Sequence, residues 1–302
     1  MSRQKVCIVT GANSGIGKAA AEQISDSGYR VVLACRSVDR GEAAKAEIAG
    51  RVPHASLDVV QVDMGVRGSI ETFSRVLAER YPTIDVVIHN AAIFDVTRKT
   101  REVTEDGVET VWAVNHVGPV LLTELLLPRI LAAQNGRIVT VSSKGLLAMP
   151  RLKVDLNDPE FENRRFSVIR AYYQAKRAQE IYTWWLADRL KDQSVTANCV
   201  RVTAVKVDLS RHPDISGLQR WAYAMKSRMS LSPEEMARTY TWLATADEAG
   251  ERTGCYFDEK HAEVNPAPYT REASTIRAVM ELTARYVPEI GEVVDRVAEV
   301  AD

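Results

Sequence analysis

Tyr172 and Lys176 stand four residues apart in the segment Ala171-Tyr172-Tyr173-Gln174-Ala175-Lys176. On a helix such a pair shares one face. A free phenol ionises near pH ~10, too high for ready proton exchange at neutrality. An ammonium beside it stabilises the phenolate and brings that value down. Tyr172 then has the chemistry to protonate an alkoxide, or in reverse to deprotonate an alcohol. A hydroxyl able to hold the reacting oxygen is supplied by Ser143, at the end of the apolar run Val141-Ser142-Ser143. Ser142 is the alternative, one residue away. A Tyr-x3-Lys string alone is common on exposed helix faces; its place after a strand ending in serines gives it weight.

A second set of residues suits an anion. The first apolar run leads into Thr10-Gly11-Ala12-Asn13-Ser14-Gly15-Ile16-Gly17 and then Lys18-Ala19-Ala20-Ala21. Gly11 permits a tight turn, Gly15 lets backbone approach a pyrophosphate, and Gly17 lets helix and strand pack closely. The free N–H groups and dipole of the following helix favour negative charge. The second run ends Ala34-Cys35-Arg36-Ser37. An acid there would bind a ribose 2′-hydroxyl, whereas a guanidinium clamps a 2′-phosphate. Arg36, with Ser37 and Arg40, therefore points to NADP(H) rather than NAD.

A third element is Trp112-Ala113-Val114-Asn115-His116-Val117-Gly118-Pro119. Pro119 gives no N–H to the carbonyl four residues back, that of Asn115. A kink at Pro119 would free the Asn115 oxygen to hold a water.

These groups need a rigid frame. Short β-rich runs at residues 6–10, 30–35, 59–63, 86–90, 137–142, 195–200 and 254–257 alternate with helical patterns at 15–27, 38–49, 67–80, 107–133, 164–191 and 233–246. Several strands are apolar on consecutive positions, as in a parallel sheet covered on both faces. The alternation predicts an α/β fold: a single-domain, Rossmann-type, doubly wound parallel sheet of about seven strands with helices on both faces. No Pro/Gly/Ser-rich break divides residues 1–302. Residues 146–163 form a polar loop, and a longer segment at about 203–232 carries Trp221, Tyr223, Met225 and Met229. Segments beyond the carboxyl ends of parallel strands build substrate pockets in such folds, so this one reads equally as a pocket wall or as a helix on the core. A C-terminal extension covers about 259–302.

The Thr-Gly-x3-Gly-x-Gly turn, the serine before Tyr172-x3-Lys176 and the asparagine helix together resemble the short-chain dehydrogenase/reductase family. Its retinol dehydrogenase and protochlorophyllide reductase-like branch is most similar, through LACRS at the second strand, VNHVGPVLLTELLLP around Asn115 and DLNDPEF before AYYQAK. The resemblance implies Tyr172, Lys176, Ser143 and Asn115 as catalytic residues, with Asn115 in a water relay to the lysine. It implies cofactor contacts from Gly11, Asn13, Ser14, Gly15, Ile16, Gly17, Arg36, Ser37, Asp63, Met64, Asn90, Ala91, Tyr172, Lys176, Thr203 and Val205. Asp63 matches an acid that meets the adenine, though it also suits a helix start. Asn90-Ala91-Ala92 resembles the family's Asn-Asn-Ala-Gly, with His89 for the first Asn. The family's Pro-Gly after strand six is Val202-Thr203 here, and its carboxamide-binding Thr is Val207, which leaves Thr203 to compensate. The implied activity is NADP(H)-dependent reduction of a ketone or aldehyde, or oxidation of the matching alcohol, on a bulky apolar small molecule. A non-catalytic NADP-binding sensor and a double-bond reductase of the protochlorophyllide type are the alternatives. Dimers or tetramers follow from the same resemblance.

Composition narrows the field. A formal charge of -1 with interspersed signs offers no basic face for nucleic acid. Cys7, Cys35, Cys199 and Cys255 lack metal or CxxC spacing and read as reduced thiols of a cytoplasmic protein. The five histidines show no ligand spacing, so no metal is expected. The most apolar helical stretch, residues 117–133, is broken by Glu124 and Arg129, and reads as too short and too charged to span a bilayer.

Overall fold

The computed structural model describes residues 3–206, 230–291 and Val294. Strands β1 (Val6–Thr10), β2 (Arg30–Cys35), β3 (Ser56–Gln61), β4 (Val86–Ile88), β5 (Gly136–Ser143), β6 (Val195–Val202) and β7 (Tyr256–Phe257) form one sheet. All neighbours pair in parallel, in the order β3-β2-β1-β4-β5-β6-β7. The order reverses between β1 and β4, which opens a crevice beyond their carboxyl ends.

Consecutive apolar residues in the inner strands serve two cores. Ile8, Val32, Val87 and Ile138 join the core beneath α3 (Arg67–Arg80), α4 (Thr110–Leu131) and α5 (Val168–Arg189). Val9, Val31, Leu33 and Ile88 join the core beneath α1 (Gly15–Asp26), α2 (Val38–Arg51) and α6 (Pro233–Thr245). A further helix, α7 (Ala273–Ala284), lies outside α5 and packs Val279 and Leu282 against Ala175, Ala178 and Ile181.

Several boundaries differ from expectation for local reasons. The third strand starts at Ser56 and ends at Gln61 rather than running over 59–63, because pairing from Arg30↔Ser56 to Cys35↔Gln61 and the Arg30–Asp58 ion pair at 2.8 Å set its register. Its polar residues lie on an edge strand, so apolar content alone misplaced it. The fourth strand stops at Ile88, the fifth continues to Ser143, the sixth to Val202, and the seventh shrinks to Tyr256–Phe257. Helix α4 begins at Thr110 rather than 107: Gly107 turns at φ +78, and the Glu109 carboxylate accepts from Val111 N and Trp112 N. Helix α5 begins at Val168 because Ser167 Oγ accepts from Arg170 N.

The irregularity expected at Pro119 takes the form of a π turn just before it. Residues Ala113–Val117 form a π turn, with Gly118 N bonded to Ala113 O, and Pro119 sits harmlessly at the start of the α-helical continuation. The apolar helix is also longer than residues 117–133 suggest. Thr110–Leu131 is long and apolar enough to cross a bilayer by length and composition, yet 78% of its apolar window is buried inside the protein, as befits a core helix. Trp221, Tyr223, Met225 and Met229 lie outside the described residues.

Candidate active site

The glycine turn has the contacts its sequence demands. Gly11 turns at φ +67, and a Cβ there would lie 3.0 Å from Ala91 Cα. A Cβ on Gly17 would meet Asn90 Nδ2 at 2.4 Å and Gly11 O at 2.6 Å, so only glycine lets α1 start against the turn. Gly15, at φ +56, has open space above it. Ser14 caps α1 without a side-chain bond, leaving the first amides to partners outside the helix. Asn90 Nδ2 donates to Thr10 O at 2.8 Å, and Ala91 N donates to Thr10 Oγ1 at 2.9 Å; together they tie the exits of β1 and β4. His89 is buried, and burial lowers its pKa to about 3. It meets Thr123 Oγ1 at 2.8 Å as a neutral ring.

A cleft of about 380 Å³ opens beside this turn. Gly11, Asn13, Ser14 and Ile16 line it from β1 and α1, Arg36, Ser37 and Arg40 from the end of β2, and Asp63, Met64, Asn90 and Ala91 from the exits of β3 and β4. Asp63 Oδ1 accepts from Gly65 N at 2.9 Å, which shapes its own loop. Arg36 stands at the mouth, its side chain 75% exposed and 3.9 Å from Asp63. Cys35 also lines the cleft, with Sγ 3.3 Å from Ser37 O. Thr203 and Val205 do not line this cleft. They follow β6, beyond β5 from the β1/β4 crevice, and Val205 pairs with Leu231.

At the other end of the crevice, β5 and α5 bring Ser143, Tyr172 and Lys176 together. Ser143 is near enough to the Tyr172 hydroxyl to favour its ionised form. Lys176 Nζ stands over the Tyr172 ring, 5.7 Å from its centroid, and donates to Val141 O at 2.8 Å. Against the lowering expected from the neighbouring ammonium, burial raises the Tyr172 pKa, with a smaller push from Tyr173 and an opposing pull from Ser143. Burial lowers that of Lys176 to about 8. The alternation of β5 separates the two serines. Ser142 points to the buried side, where its hydroxyl donates to Glu180 Oε1 at 2.6 Å, so it makes a side-chain bond rather than a strand-end backbone bond.

Asn115 lies in the π turn with its side chain bridging the chain after β4: Oδ1 accepts from Ile93 N at 2.7 Å, and Nδ2 donates to Ile93 O at 2.9 Å. It fixes the segment carrying Phe94, whose ring stacks on Tyr172 at 4.2 Å between centroids. That stack was not foreseen from the sequence. Nor was the buried cluster of Ser142, Glu180, Arg177 and Tyr256, in which Glu180 also accepts from Arg177 Nη1 at 2.7 Å and Tyr256 Oη at 2.8 Å. Its one visible signal was an acid and a base three apart in the middle of a long helix.

A doubly wound sheet with an open glycine turn and a Ser/Tyr/Lys set at its carboxyl edge defines the short-chain dehydrogenase class of oxidoreductase, and the chain belongs to that family. The short chain dehydrogenase profile matches residues 5–152. Within the family it falls in the retinol dehydrogenase-like branch. It is 33% identical to human (Homo sapiens) retinol dehydrogenase 13 over 286 residues, 94% of this chain and 84% of that one. It is 34% identical to human retinol dehydrogenase 12 over 263 residues, 87% and 80% of the two chains. Among solved structures, an uncharacterized protein from Mycobacterium Paratuberculosis aligns with a TM-score of 0.69 and 25% identity, covering 94% of this chain and 93% of that one.

Proposed function

We propose that the protein is an NADP(H)-dependent oxidoreductase that reduces a ketone or aldehyde, or oxidises the matching alcohol, with Tyr172 as the acid/base. The observation that carries this reading is the Lys176 ammonium over the Tyr172 ring, with Ser143 beside the same phenol. A dinucleotide suits the residues present. Gly15 leaves an open cradle where a Cβ would stand, and the first amides of α1 lack a side-chain cap. At the end of β2 a guanidinium, with Arg40 and Ser37 beside it, meets the same cleft, which favours a 2′-phosphate. Four free thiols suit a reducing, cytoplasmic setting.

The bound nicotinamide supplies or accepts the hydride. The chain's own residues manage the proton and the oxygen. Ser143 Oγ holds the substrate oxygen beside Tyr172 Oη, at the point where negative charge develops. Burial keeps Tyr172 protonated until that charge appears, so it enters reduction as an acid. The proton passes from Tyr172 Oη to the substrate oxygen, and the Lys176 ammonium stabilises the phenolate left behind. Near neutrality Lys176 still holds its proton, since its pKa of about 8 lies above that range. Asn115 positions the Ile93–Phe94 turn, and Phe94 holds the Tyr172 ring.

Replacing Tyr172 by Phe keeps the stacked ring but removes the proton. Turnover of a ketone panel, followed by NADPH absorbance, should fall by about 10²- to 10⁴-fold, with NADPH binding nearly unchanged. Residual activity close to the parent's would refute the acid. NADPH binding without turnover in the parent protein would favour the sensor reading.

A further inference from the structure

Asn115 reaches Tyr172 through two neighbours. Both polar atoms of its side chain are engaged by Ile93, and the next residue, Phe94, stacks on the Tyr172 ring. The placing of that stack therefore depends on what holds the π turn of Ala113–Val117. A π turn carries one residue more than an α-helical turn. Relaxing it would rotate Asn115 by about 100° about the axis of α4, relative to the residues that follow, and take its amide off Ile93. Gly118 gives the turn room by passing close to Met64, where a Cβ would lie 2.1 Å from the carbonyl oxygen. Room alone does not hold it.

His116, beside Asn115 in the turn, supplies the hold. It is fully buried, and burial lowers its pKa to about 3, so the ring is neutral. Its Nε2 meets Thr283 Oγ1 of α7 at 2.8 Å. That hydroxyl gives its own proton to Val279 O at 2.7 Å, so it accepts from the ring, and the ring proton sits on Nε2. Nδ1 is then an acceptor. Gln179 Nε2, on α5, lies 3.4 Å from it and 3.2 Å from the His116 carbonyl oxygen, so one amide NH2 serves both. The opposite amide orientation would set Oε1 against that carbonyl oxygen. Gln179 keeps its donors on His116 even though its buried Oε1 has no partner among the described residues. Gln179 also stands seven residues, about two turns, after Tyr172 on one helix face. A ring of contacts therefore closes: from Tyr172 along α5 to Gln179, across to His116 and Asn115, on to Ile93 and Phe94, and back to the Tyr172 ring. We infer that Gln179 and His116 are positioning residues for the proton donor: their bonds fix the π turn, and the turn fixes the Phe94 stack on Tyr172. This rests on the acid/base reading of Tyr172 above and extends it to two buried residues away from the reacting atoms.

A double-variant cycle tests the route. The kcat for the most rapidly reduced member of a ketone and aldehyde panel, at saturating NADPH, is compared among the parent, Gln179→Leu, Phe94→Ala and the double variant. Each single change should lower kcat by about 10-fold or more, the scale of a small misplacement at the reacting centre. The double variant should lose no more than the larger single loss, because both changes act on one stack. Independent effects would instead multiply, to about 100-fold. Multiplied losses, or a parental kcat in either single variant, would overturn the inference. Where Gln179→Leu does not fold, Thr283→Val takes its place, since it removes the hydroxyl that accepts from the His116 ring; Thr283→Ser keeps that hydroxyl and should keep most of the parental kcat. If the parent reduces nothing in the panel, the reductase reading fails on its own, and the ring resonances of carbon-13-labelled tyrosine then decide. The Tyr172 signal, identified by its loss in Tyr172→Phe, should shift both in Phe94→Ala and in Gln179→Leu. An unmoved Tyr172 signal in Gln179→Leu would overturn the positioning role.

Discussion

Replacing Lys176 by Met should remove an alkaline gain in folding stability. Lys176 is 2% exposed, and burial lowers its pKa from the ordinary 10.5 to about 8. In the unfolded chain the ammonium keeps its proton up to the ordinary lysine value. Between pH of about 8 and 10.5 the unfolded chain therefore binds a proton that the folded protein has released. Stability rises with pH wherever the unfolded state holds more protons. Each unit of that interval contributes about 1.4 kcal/mol, so the ceiling is about 3 kcal/mol. Below the folded value both states are protonated and the contribution is flat. Met has similar length and does not titrate, so its curve lacks the rise. Buried thiols act in the opposite sense: burial pushes Cys199 up to about 12, and its effect is lost as the unfolded thiol ionises. Cys199 and Lys176 also influence each other, so the comparison is made with Cys199→Ala in both proteins, which removes that loss from the difference. Urea unfolding followed by tryptophan fluorescence, from about pH 7.5 to about 10, gives the difference curve. The parent should gain roughly 2–3 kcal/mol on the variant across that range. A flat difference would mean that Lys176 is solvated or ion-paired in solution, and the account of how it supports the Tyr172 phenolate would fail with it.

Two other substitutions test separate parts of the site. Arg36→Ala should raise the KM for NADPH by about 10-fold or more while leaving that for NADH nearly unchanged, because only the former offers a 2′-phosphate; equal effects on both would remove Arg36 from cofactor choice. Ser143→Ala should lower kcat by about 100-fold at nearly parental stability. Ser142→Ala should instead lower stability by about 1–3 kcal/mol, through one lost hydrogen bond to the buried Glu180 carboxylate, with kcat largely retained. The reverse pattern in steady-state kinetics and urea melts would exchange the roles of the two serines.

Much of the frame was legible in the residues. Strands buried on both faces show as unbroken apolar runs, and glycines in a turn before a helix announce themselves by spacing. The edge strand β3 was misplaced because Ser56, Asp58 and Gln61 look like loop, and only pairing with β2 shows otherwise. The π turn at Asn115 was read as a proline kink, since the bulge is set by how closely α4 passes Met64: a Cβ on Gly118 would lie 2.1 Å from its carbonyl. That approach is tertiary and leaves no local mark. The same holds for the buried cluster around Glu180. Arg177 reads as one more charge on a charged helix until the fold buries it.

Helix α5 has one further consequence. From Gln174 to Ala187 it is buried on every side, and much of its outer cover comes from the carboxyl-terminal stretch. Arg271 lies over Trp184, His116 meets Thr283 at 2.8 Å, and Arg67 reaches Glu289 at 2.7 Å, so that stretch is latched to α3, α4 and α5 at once. Tyr172 and Lys176 ride on the first turns of the helix it clamps. Trimming the chain back to β7 would therefore unseat the proton donor without deleting any group that meets the substrate oxygen. Such a truncation would mimic an active-site lesion while leaving Ser143, Tyr172 and Lys176 in the sequence.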